Sequence, residues 1–107
     1  EKLRLRMLVV EPASLQQATA LGSYISWTVQ FERDDKPFSL ISIAITGGMP
    51  SHGHGLPTQP RVTAQLGDGR YRVEGIKFTM PGRWQLVFNV GSPLGDDRVV
   101  LEFDVRH

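Results

Sequence analysis

Apolar and polar residues alternate along most of this chain, and the alternation predicts antiparallel strands with one buried face. In the first run Leu3, Leu5, Met7 and Val9 point inward, and Lys2, Arg4 and Arg6 point outward. Pro12 and Gly22 bracket a polar, Ala-rich connection with room for one helical turn. The second run sets Ile25, Trp27, Val29 and Phe31 against Tyr24, Ser26, Thr28 and Gln30, and Arg33-Asp34-Asp35-Lys36-Pro37 turns the chain. The third places Ile41, Ile43 and Ile45 inward. A short fourth carries Val62, Ala64 and Leu66, and Gly67-Asp68-Gly69 is a hairpin turn of the kind Asp-Gly favours. Tyr71 and Val73 then face one way, whereas Ile76, Phe78 and Met80 have the opposite parity, so the break at Gly75 predicts a bulge. Pro81-Gly82 is a turn, Trp84, Leu86, Phe88 and Val90 form the next inward set, and Gly91 to Asp97 reads as a loop. Val99, Leu101, Phe103 and Val105 close the series.

Seven strands in 107 residues, with few helical signals, predict an all-β fold. The expected architecture is a seven-stranded antiparallel immunoglobulin-like β-sandwich, a single domain over residues 1–107 without the Cys-Trp-Cys hallmark of antibody domains. Successive antiparallel strands send their connections alternately to two poles. The ends of strands three and five and the start of strand four then share a pole, which brings Met49, His52 and His54 to the same end as Met80. Glu11 and His107 fall at that end too, and Asp68, Asp96 and Asp97 at the other.

Composition narrows the function classes. Twelve Lys and Arg against eleven Asp and Glu leave a net charge of +1, so no field draws in nucleic acid. Cysteine is absent, which excludes disulfides, zinc-thiolate sites and a cysteine nucleophile. No apolar run approaches the ~18 residues of a membrane span. The chain starts at Glu1 without an initiator Met, which reads as a processed or trimmed form and is compatible with a signal peptide or membrane anchor ahead of it. His107 reads equally as a native residue or as the start of a purification tag.

The candidate chemistry sits in the Gly/Pro/His-rich loop at 47–60, Gly-Gly-Met-Pro-Ser-His-Gly-His-Gly-Leu-Pro-Thr-Gln-Pro. Four glycines and three prolines forbid ordinary strand or helix there. His52 and His54, at i and i+2 of an extended segment, project to one side and can converge on one ion. Met49 lies three residues earlier, and Met80 joins them if the pole assignment holds. Imidazole with thioether suits copper, and the thioether selects Cu(I). The metal reading is therefore His52, His54, Met49 and Met80 holding copper as the cofactor. The competing readings are that the histidines are loop residues bonded to local backbone, and that Met80 continues the core parity of Ile76 and Phe78. Met7, Trp27 and Trp84 read as core.

Catalysis finds no support. Ser51 adjoins His52 in sequence, which is poor geometry for a nucleophile and base, and the loop holds no acid to orient either ring. The chain reads as a non-enzyme.

Three stretches carry a family resemblance. They are Met49-Pro50-x-His52-Gly53-His54-Gly55-x-Pro57-Thr58, Asp68-Gly69-x-Tyr71-x-Val73-x-Gly75, and Phe78-x-Met80-Pro81-Gly82-x-Trp84. Over roughly residues 40 to 105 the chain resembles the YtkA-like domains of bacteria, small β-sandwiches that look related to FixH-like proteins of copper-oxidase assembly. The resemblance implies a periplasmic or otherwise extracytoplasmic protein. It also implies delivery or buffering of copper, in support of respiratory oxidase assembly, by an exported or membrane-anchored protein. Many proteins of this kind carry Met where this chain has Leu56; if that Met is a ligand in them, its loss here weakens the site or shifts the implied ligand set to Met49 and Met80. The chain lacks the longer Met and His spacing of periplasmic copper chaperones. The alternative function is a non-catalytic interaction module that uses the 47–60 loop as its recognition surface for a membrane or periplasmic partner protein.

Overall fold

Two sheets face each other in the computed structural model, which describes residues 3–107; Lys2, expected on the outward face, lies outside the described residues. The strands are β1 (Arg6–Glu11), β2 (Tyr24–Arg33), β3 (Lys36–Pro37), β4 (Ser42–Met49), β5 (His54–Gly55), β6 (Arg61–Gly67), β7 (Arg70–Lys77), β8 (Gly82–Ser92) and β9 (Gly95–Val105). One sheet runs β1-β2-β7-β6, with β3 attached to β2, and the other runs β5-β4-β8-β9. Apart from the dipeptide strands β3 and β5, this is the ABED-against-CFG partition of an immunoglobulin-type sandwich. Nine strands replace the seven expected because β3 and β5 pair for only two residues each, too few to leave an alternation.

The local turn chemistry explains the hairpins. Asp68 and Gly69 both have positive φ, as a two-residue hairpin loop requires, and Gly67 pairs with Arg70 across it. Asp34 and Asp35 repeat the device between Arg33 and Lys36. The bulge expected at Gly75 is present: Ile25 faces Ile76 and Trp27 faces Val73, so one residue of β2 opposes two of β7. Val73 and Ile76 are therefore both fully buried despite their opposite parity. The helical turn is α1 (Leu15–Ala18), capped by the Ser14 hydroxyl, which accepts from the Gln17 amide.

The core lies between the sheets. Trp27 and Phe31 from one sheet, with Phe78 just beyond the end of β7, meet Phe103, Phe88 and Trp84 from the other, with ring centroids 5.2–6.2 Å apart in edge-to-face pairs. The Trp27 indole donates to the Ala18 carbonyl at 2.9 Å and so fastens α1 to the core. No buried side-chain nitrogen or oxygen among the described residues lacks a hydrogen-bond partner.

Several expectations are corrected. Strand β1 starts at Arg6 rather than Leu3, although Leu3 is still buried. Ile41 is exposed, because it precedes β4 and its amide bonds back to the Gly91 carbonyl. Leu66 is also exposed, since a register shift between Gln65 and Gly67 precedes the hairpin. The loop expected from Gly91 to Asp97 shrinks to Pro93-Leu94, because β8 and β9 stay paired as far as Ser92 and Gly95.

Candidate metal-binding hairpin

The 47–60 loop is more ordered than its composition predicts. Gly47, Gly48 and Met49 complete β4, Pro50–His52 form one 3-10 turn, and His54-Gly55 return as β5. Gly48 faces Gly55 and Met49 faces His54. Glycine at 48 has a physical cause: its φ is +150°, and a Cβ there would run into the His54 carbonyl oxygen. Gly53 takes the left-handed conformation at φ +66° and donates its amide to the Pro50 carbonyl, which closes the tip. Beyond β5 the Thr58 hydroxyl donates to the Gly75 carbonyl and ties the returning chain to the other sheet.

His52 and His54 are both exposed at this tip. Their ring centroids are 6.0 Å apart and their planes differ by 15°. The pairing arises from the 3-10 turn and the left-handed Gly53 rather than from the extended segment expected. An ion shared by two imidazoles, at metal–nitrogen bonds of 2.0–2.1 Å, sits about 3 Å from each centroid. The rings are stacked, and a metal–nitrogen bond lies in the imidazole plane, so sharing one ion requires these exposed side chains to rotate until their ring nitrogens face each other. Among the described residues no group of three or more His, Cys, Asp or Glu side chains is placed to hold a metal.

The two methionines are placed opposite to their sequence neighbourhoods. Met49, expected in the open loop, is fully buried. Its methyl carbon lies against Gly82, where a Cβ would stand 2.5 Å away. Met80, which shares the parity of Ile76 and Phe78, is 39% exposed. The chain leaves the sheet after Lys77, and the Met80 carbonyl accepts the Trp84 indole N–H at 2.9 Å. The shared pole survives the changed strand count. Gly48 faces Gln85 and Gly82 faces Val105, so the end of β4, the start of β8 and the end of β9 lie together. Met80 lies two residues before β8 and therefore at the hairpin's end of the molecule. Glu11 ends β1 on the side of the β2 start, facing Thr28 midway along β2.

Gly82 and Trp84, read from the sequence as turn and core, turn out to support the site, Gly82 against Met49 and Trp84 through the Met80 carbonyl. The signal was a glycine two residues before a core tryptophan. Gly82 has φ +139°, so Gly82→Ala introduces both backbone strain and a clash with Met49. Overpacking of this kind costs typically 1–3 kcal/mol, and urea denaturation is expected to show a loss in that range.

The comparison with known proteins adds one finding. The family model described as YtkA-like matches residues 6–88, a span that contains the whole hairpin. No curated protein and no solved structure matches this chain.

Proposed function

The chain belongs to the YtkA-like family, and on that premise we propose that it binds copper, preferably Cu(I), through His52, His54 and Met80, for delivery or buffering. The observation that carries this reading is the near-parallel pair of exposed imidazoles 6.0 Å apart on a closed hairpin. Imidazole and thioether are ligands suited to Cu(I), and Met80 brings the thioether to the same end. Met49 is assigned to the core beneath the site and not to the ligand set, because its side chain is sealed from solvent. The protein acts outside the cytoplasm, near a membrane or periplasmic partner that receives the ion, and performs no catalysis.

A second reading has an observation in its favour. The hairpin tip is exposed and held by Met49 beneath it, as a rigid recognition loop would be. Under that reading the histidines contact a partner protein and no metal is needed.

Titration with Cu(I) under reducing conditions separates the two. One equivalent is expected to bind to the native protein and none to the double variant His52→Ala/His54→Ala. Equal uptake by both, or none by the native chain, favours the interaction module. Metal removal is expected to leave the circular dichroism spectrum unchanged, because the aromatic core is built without the ion, unlike small zinc domains that unfold when stripped.

A further inference from the structure

One edge of the four-stranded sheet is open. Strand β4 pairs with β8 from Ser42 to Gly48 without a register shift. Its other edge meets β5 only at Gly48 and Met49. Among the described residues no strand pairs with that edge between Ser42 and Gly47. Alternate residues of an antiparallel strand turn their N–H and C=O groups to opposite sides, so about half of this stretch presents unpaired groups outward. Natural sheets blunt such edges with charge, proline or a bulge. Ser42-Ile43-Ala44-Ile45-Thr46 has none of these.

Across from this edge lies β6, the edge strand of the other sheet. Between them is a cleft of about 700 Å³, with Ile43, Ala44 and Ile45 on one wall and Arg61 and Thr63 on the other. That volume falls within the range of ligand pockets. Strand β5 shows what the edge accepts: an antiparallel strand, which runs for two residues before the chain departs toward β6. Beyond Gly55 no described strand continues the β5 line along β4, and the returning residues Thr58, Gln59 and Pro60 line the cleft beside it.

The charge of the cleft narrows the occupant. Glu74 in its wall is already engaged, accepting from Arg72 at 2.9 Å and from Thr63 at 3.0 Å. These hydrogen bonds, Arg72 first, hold its carboxyl below the usual carboxylate range and keep it ionised. Arg61 makes no ion pair among the described residues. Lys77 makes none either and sits 5.0 Å from the ring centroid of Tyr24, which also lines the cleft. The charge left to be matched is therefore positive.

We propose that the cleft between β4 and β6 binds an extended, acidic peptide segment of a partner protein, added as an antiparallel strand to β4. Main-chain hydrogen bonds to the open edge supply affinity, and alternate side chains supply specificity. Apolar residues of the guest face Ile43 and Ile45, and a carboxylate reaches Arg61. The proposal goes beyond the metal reading and uses none of its residues.

The test is selection of binders from a random decapeptide library on the full chain, followed by amide chemical-shift mapping. Enriched peptides are expected to alternate β-branched with other residues, to carry Asp or Glu, and to shift the amides of Ser42–Gly47. Arg61→Glu, an exposed change that leaves the core untouched, is expected to weaken them at least tenfold and to redirect a fresh selection toward Lys and Arg. Ala44→Pro is expected to abolish binding if the variant folds. The proposal is overturned if no peptide is enriched, if the shifts lie elsewhere, or if Arg61→Glu has no effect. It is overturned equally if sedimentation shows a dimer whose β4 amides are protected from exchange, since a second copy then fills the edge.

Discussion

Trp27→Ala is expected to lower the stability of this protein by about 3–5 kcal/mol, the usual cost of deleting a large aromatic side chain from a core. The indole is 2% exposed, packs edge-to-face on Phe103 at 6.1 Å, and holds α1 through the Ala18 carbonyl. Truncation leaves a cavity between the sheets and removes the donor for that carbonyl, so the transfer, cavity and hydrogen-bond costs fall on one residue. Small domains have only about 5–15 kcal/mol in total, so the variant loses a large share of its margin. Denaturant titration measures the loss as a lower midpoint with an unchanged slope. Ile41→Ala is the control. Its side chain is 73% exposed, and its change is expected to stay within about 0.5 kcal/mol. A comparable loss for both variants would contradict the packing described.

The second large effect separates the two methionines. Met49→Ala is expected to cost about 2–5 kcal/mol, because it empties a fully buried position under the histidine hairpin. Met80→Leu nearly conserves volume at a half-exposed site and is expected to cost under ~1.5 kcal/mol. Copper binding reverses the order of importance. If Met80 is the thioether ligand, Met80→Leu weakens Cu(I) binding while hardly affecting Cu(II), since the soft ligand selects the softer ion. Met49→Leu, which keeps the core filled, leaves Cu(I) affinity unchanged. Loss of Cu(I) binding in Met49→Leu with none in Met80→Leu would return the ligand role to Met49. A Met80 sulfur more than about 3 Å from the bound ion, measured by X-ray absorption, would remove it from the site, since metal–sulfur bonds are near 2.3 Å.

The legible parts of the fold were those governed by local periodicity. Alternation at Trp27, Val29 and Phe31 and at Trp84, Leu86 and Phe88 marked the inner faces, because a period of two leaves one face of a half-buried strand apolar. The parity change around Gly75 marked the bulge for the same reason. Asp68-Gly69 marked a hairpin because few residues adopt two successive positive φ values. Strands β3 and β5 left no such trace. Two residues cannot show a period, and their existence depends on a neighbouring edge distant in sequence.

The candidate site divides in the same way. The sequence by itself determined that two imidazoles lie within one short Gly/Pro-bounded turn, because their separation is local. It also determined the end of the sandwich they occupy, because antiparallel reversal alternates the poles. Only the tertiary structure decided which methionine faces solvent. Met49 is buried by the contact of β4 with Gly82, and Met80 is exposed because the chain leaves β7 at Lys77, before the parity of Phe78 can carry it inward. Only the tertiary structure, too, decided that the β4 edge stays open opposite Arg61. Whether a strand edge is covered depends on which other strands arrive beside it, and nothing within Ser42–Gly47 encodes that arrival.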